Sequence, residues 1–184
     1  MKFQRLAIPD LILIEPDVYQ DHRGYFMETF RADLLGEFLG FQPAFCQDNQ
    51  SKSHRGVLRG LHYQSAPFAQ NKLVRVISGC IIDVAVDIRP NSSTFGQYVA
   101  IILDAIEHKQ LFIPAGFAHG FLALEDNTIC AYKVDAYYSA ECSRGLAFDD
   151  PDIGINWHQY LPDDCDLVLS HQDQNQPHLR EITT

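Results

Sequence analysis

The chain has 184 residues, 46% of them hydrophobic, and its 14 Lys and Arg stand against 24 Asp and Glu for a formal net charge of −10. That length suits a single domain spanning 1–184 that buries roughly 70% of its unfolded surface, and 12 Phe with 8 Tyr argue against disorder. The acidic balance argues against nucleic-acid partners, and no apolar run approaches the roughly 20 residues that a membrane-spanning helix needs.

Met-Lys-Phe-Gln at the start is not followed by the apolar stretch of a secretory leader, so a cytoplasmic protein is expected, with no membrane partner. Cys46, Cys80, Cys130, Cys142 and Cys165 are odd in number and widely spaced. They read as reduced thiols, mostly core filler.

Period-two alternation begins at 11–15, and the turn formers Asp-His-Arg-Gly at 21–24 lead into a second strand at 25–30. Residues 32–39 alone show helical spacing, with Leu34, Leu35, Phe38 and Leu39 on one side. Strands are predicted next at 45–51 and 57–63. Here the charge changes sign. From 49 to 82 there is no Asp or Glu, but there are five cations, Lys52, Arg55, Arg59, Lys72 and Arg75, which leaves −15 for the rest of the chain. A local positive site of this kind can hold phosphates whatever the net charge, because fields in solution are short-ranged.

In a regular strand Arg59 and His62 face opposite sides; a bulge at Gly60 would bring both to one pocket. Further strands are predicted at 72–78, 81–88, 97–103, 110–113, 120–124 and 129–137, separated by Ser-Gly, Arg-Pro-Asn-Ser-Ser and Pro-Ala-Gly turns. Many short strands and one small helix predict a mainly β protein, a jelly-roll or antiparallel β-barrel with few short helices. Beyond Asp149 the acidic, Pro-rich tail is expected to wrap the barrel, and the chain to fray after Leu179.

Pro114-Ala-Gly116-Phe-Ala-His119 resembles the second metal-binding motif of cupins. The companion motif needs two histidines one residue apart, and His62-Tyr63-Gln64 supplies one, so no metal is expected. His62 and His119 are then free for proton transfer, which suits a side chain titrating near neutral pH. Asp83, Asp87 and Asp173 are the carboxylates that could orient them.

Taken together, 21–30, 47–53, 56–64, 72–76, 83–89, 113–121 and 150–157 resemble, in order, the dTDP-4-dehydrorhamnose 3,5-epimerase family. The resemblance implies a cupin-type jelly roll that forms a homodimer by strand exchange and needs no cofactor. It also implies inversion at C3 and C5 of a dTDP-4-dehydro-6-deoxyhexose, in dTDP-L-rhamnose biosynthesis; a relative acting at one carbon, or on another nucleotide sugar, is the alternative. By motif, His62 is the base, Tyr132 the acid, Lys72 the enolate stabiliser and Asp173 the partner of His62. Arg59 and Arg23 would hold the diphosphate, with Gln47, Asp48, Asn49 and Glu28 at the nucleotide or sugar, His119 at the sugar and Tyr138 on thymine. Arg23 and Glu28 would come from a partner subunit. Ser143 and Gln172 depart from the family pattern, which usually has an acidic residue and often a Lys there.

Overall fold

The computed structural model describes residues 1–182. Its thirteen strands are β1 (Lys2–Arg5), β2 (Ile12–Glu15), β3 (Val18–Asp21), β4 (Gly24–Met27), β5 (Gln47–Ser53), β6 (Leu58–Gln64), β7 (Lys72–Ser78), β8 (Cys80–Asp87), β9 (Tyr98–Asp104), β10 (Gln110–Ile113), β11 (Phe117–Ala123), β12 (Thr128–Val134) and β13 (Ser143–Gly145). Helices α1 (Ala32–Leu39) and α2 (Leu179–Ile182) and the 3-10 turns Trp157–Tyr160 and Asp173–Asn175 complete the described elements. Strands run antiparallel in a six-stranded sheet, β1-β2-β10-β7-β12-β5, and a five-stranded sheet, β13-β6-β11-β8-β9. Among the described residues β3 and β4 pair only with each other. The mainly β, jelly-roll expectation is met.

Alternation decides what lies between the sheets. On β8, Ile81 and Ala85 face an inner cluster with Val74 and Val76 of β7, Phe117 and Phe121 of β11 and Cys130 of β12. The intervening Ile82, Val84 and Val86 face outward, under the tail residues Ile153, Ile155, Trp157 and Leu179. Both faces of β8 are therefore dry, which explains its nearly unbroken apolar run. α1 covers the other sheet through Leu35, packed with Ile12, Leu73 and Phe112. Its end at Gly40 follows from a left-handed φ of 78° that glycine adopts without strain.

Two expectations need correction. Leu179 is buried at 5% exposure and starts α2, because the tail completes the outer core there; of the segment expected to fray, only 183–184 lie outside the described residues. All five cysteines are free thiols as expected, but only Cys130 is core filler; Cys46 is exposed and the other three are partly exposed. Cys46 immediately precedes β5, where alternation with a solvated face exposes every second residue.

Candidate active site

At one end of the space between the sheets the apolar filling stops and polar side chains line a cleft in two lobes, of about 340 Å³ and 280 Å³. The inner lobe is bounded by Arg59, His62, Lys72, His119, Tyr132 and Asp173. The outer lobe shares His62, Lys72, Tyr132 and Gln172 with it and adds Gln47, Asn49, Tyr138 and Ser143.

Arg59 and His62 reach one cleft because β6 is irregular. His119 pairs with His62 and Phe121 with Arg59, so Gly60 and Leu61 together oppose Gly120 alone. The extra residue inverts the alternation. Leu58 and Leu61 then share the outer core, while Arg59 and His62 share the cleft. Glycine is required on both strands: Gly60 has φ +128°, a Cβ there would lie 2.5 Å from Gly120 Cα, and one on Gly120 would lie 2.7 Å from the Arg59 carbonyl.

His62 Nε2 lies 2.6 Å from Asp173 Oδ1, although the two residues are 111 apart in sequence. The tail makes the junction. Val168 bridges Val57 in parallel, and Ser170 Oγ donates to Asp173 Oδ2 at 2.8 Å. Burial pushes the Asp173 carboxyl up, but hydrogen bonds from His62 and Ser170 outweigh it and hold the carboxyl below its ordinary value. An ionised partner requires the hydrogen on Nε2, so in the neutral form of His62 the lone pair lies on Nδ1.

A second imidazole–carboxylate pair lies on the neighbouring strands. His119 Nε2 is 2.7 Å from Asp83 Oδ1, with Asp83 wholly buried on β8. Burial lowers the His119 pKa against the pull of Asp83, so a neutral imidazole is favoured. Asp87, the other aspartate on that face, is engaged elsewhere: it accepts from Arg89, Ser92 and Thr94.

From the opposite sheet come Lys72 of β7 and Tyr132 of β12. Lys72 is 7% exposed, its Nζ donates to the His62 carbonyl at 3.1 Å, and burial pushes its pKa down to about 8. Burial and the neighbouring Cys130 raise the Tyr132 phenol above its ordinary value, so it keeps its proton at neutral pH. Arg59 Nε donates to Ser53 Oγ at 3.1 Å, holding the guanidinium at the cleft mouth.

The remaining residues singled out from the sequence divide. Gln47 and Asn49 face the outer lobe, joined by a 2.8 Å hydrogen bond, and Tyr138 stands exposed beside them. Asp48, between them on β5, faces the other way by strand alternation; it pairs with Lys133 at 2.9 Å and lines a groove outside the sheet with Arg75 and Gln110. Arg23, in the β3–β4 turn, pairs with Asp21, and Glu28 with Arg31; neither lines the cleft. Sequence reasoning assigned no role to Ser170 or to Gln64, although Gln64 ends the 56–64 segment, because their bonds to backbone and neighbouring side chains leave no mark in spacing. Among the described residues no group of three or more His, Cys, Asp or Glu could hold a metal ion.

An imidazole with a free lone pair on one sheet, a protonated phenol on the other and a buried ammonium in the same cleft form the equipment of an acid–base isomerase. Comparison with known proteins narrows that class. A family model described as dTDP-4-dehydrorhamnose 3,5-epimerase matches residues 5–181. A protein of that name from Methanothermobacter thermautotrophicus is 49% identical over 180 residues, 98% of this chain and 95% of its own length. A 3,5-epimerase from Legionella pneumophila, solved in complex with dTDP-4-keto-L-rhamnose, superposes with a TM-score of 0.92 at 43% identity, covering 98% of this chain and 94% of its own. A 3′-monoepimerase from Streptomyces bikiniensis, in complex with dTDP-quinovose, gives 0.88 at 35% identity, covering 95% and 86%. The chain belongs to the dTDP-4-dehydrorhamnose 3,5-epimerase family.

Proposed function

We propose that this chain converts dTDP-4-dehydro-6-deoxy-D-glucose to dTDP-4-dehydro-L-rhamnose, inverting C3 and C5 without a cofactor. Both carbons adjoin the C4 ketone, so each can lose a proton to give an enolate and regain one on the opposite face. Inversion needs a base and an acid on opposite sides of the ring and a positive group at the oxyanion. The observation that carries the reading is the origin of His62 and Tyr132 from opposing sheets onto one cleft.

His62 removes the proton through its free nitrogen, and Asp173 holds the ring and stabilises the imidazolium. Lys72 faces the developing enolate oxygen, and Tyr132 returns a proton from the other side. Arg59 takes the diphosphate, His119 the sugar, Gln47 and Asn49 the sugar or nucleotide, and Tyr138 the thymine face.

The β3–β4 hairpin supports a homodimer. Tyr19, Tyr25 and Phe26 are 64%, 56% and 67% exposed on a two-stranded ribbon that joins neither main sheet. Its turn carries Arg23, with Glu28 just beyond β4, so docking on a second copy would deliver both to the partner's cleft. Five free thiols fit a reducing, cytoplasmic setting.

Incubation with the substrate in deuterated water tests the reaction. Deuterium is expected at both C3 and C5, and Tyr132→Phe should retain exchange at rates within about tenfold while losing net inversion. Label at C3 alone would place the chain with the monoepimerases.

A further inference from the structure

We propose that Gln64 is a positioning residue that sets the Tyr138 ring for the base of a nucleoside diphosphate, acting through the 136–139 loop. The inference rests on the epimerase reading of the cleft. The loop after β12 has no regular structure, and it presents Tyr137 and Tyr138 at 65% and 64% exposure. Four backbone polar groups on its three successive peptides are nevertheless held, each by a glutamine. Gln70 Nε2 donates to the Ala136 carbonyl at 2.7 Å and Gln64 Nε2 to that of Tyr137 at 3.2 Å. The Tyr138 N–H donates to Gln47 Oε1 at 3.1 Å and the Ser139 N–H to Gln64 Oε1 at 2.7 Å.

Gln64 is the centre of this clamp. It is 7% exposed, bonds two of the four backbone groups, and donates also to the Phe68 carbonyl at 2.7 Å. One buried amide therefore uses both hydrogens and its oxygen to join the segment after β6 to the tyrosine loop, along the wall of the outer lobe. A ring that stacks on a base contributes affinity in proportion to how little freedom it loses on binding, so fixing its backbone beforehand favours the bound state. Only an amide serves here. A carboxylate would keep the acceptor for Ser139 but set its charge against two carbonyl oxygens.

The test is calorimetric binding of dTDP together with steady-state kinetics. In Gln64→Glu the Kd for dTDP and the KM should rise about tenfold at pH 8, while kcat falls less than about twofold. Lowering the pH toward 5 restores one O–H donor and should close part of the gap to wild type measured at the same pH. Gln64→Met, which fills the space without an amide, should show the same loss with no recovery. In a Tyr138→Ala background, Gln64→Glu should cost less than about twofold, because the ring it positions is gone. Wild-type affinity in Gln64→Glu, fully additive losses, or a fall in kcat equal to the rise in KM with no pH recovery would overturn the inference alone. Failure of the wild type to bind dTDP would remove the epimerase reading and this inference with it.

Discussion

Lys72 shows how one buried side chain couples chemistry to pH. Removed from water, its ammonium loses hydration, and the pKa falls from 10.5 to about 8. The cation proposed for the enolate oxygen is thus present below that value and lost above it. We expect kcat/KM to decline as pH rises through about 8, well before an exposed lysine would titrate, and Lys72→Met to abolish this limb while lowering kcat about 10²- to 10³-fold. A pH–rate profile checks both; an alkaline limb that persists in Lys72→Met would assign it to another group. The stability effect has the opposite sign. Between about 8 and 10.5 the unfolded chain holds a proton that the folded one has released, so this group favours folding more as pH rises.

At the scale of the element, the bulge in β6 matters more than any strand's propensity. It rests on two glycines meeting across a strand pair, so Gly60→Ala must shift backbone rather than side chain. A cost of about 2–5 kcal/mol is expected in urea denaturation, with loss of activity in whatever folds, because Arg59 and His62 would no longer share a face. Wild-type stability and activity in Gly60→Ala would refute this account of the cleft. The same element marks the limit of what the sequence discloses. Strands 72–78 and 110–113 and helix 32–39 were legible to the residue, since apolar period and turn residues agree there. β1 and β3 were not, because their residues are almost wholly exposed and show no apolar alternation; β13 is three residues long. β11 was expected to begin at 120, yet it starts at Phe117: it is buried on both faces, which erases the alternation that would have extended it across His119. His62, Lys72 and Tyr132 could be proposed from motifs, but that Asp48 turns away from its neighbours Gln47 and Asn49 needed the face of β5 to be known.

For the whole molecule, the uneven charge resolves into geometry. Of the five cations between 49 and 82, Arg59 and Lys72 line the cleft, whereas Arg75 faces the outer groove and Lys52 and Arg55 are exposed. The site is therefore positive by placement within an acidic protein. The exposed hairpin gives this scale its prediction. On the proposed dimer, Phe26→Glu should shift the protein toward monomer in light scattering and lower activity at least about tenfold, since a charge would be buried at the contact and Arg23 no longer delivered. An active monomer would show that each cleft is complete within one chain.

The bond between His62 and Asp173 spans 111 residues, and Tyr132 and Lys72 reach the same cleft from the opposite sheet. No fragment of local structure holds a working site. In refolding, the sheets must be paired and the tail laid across them before Asp173 can meet its imidazole, so activity can return no earlier than that complete arrangement. Enzymatic activity thus reports the topology of the entire fold.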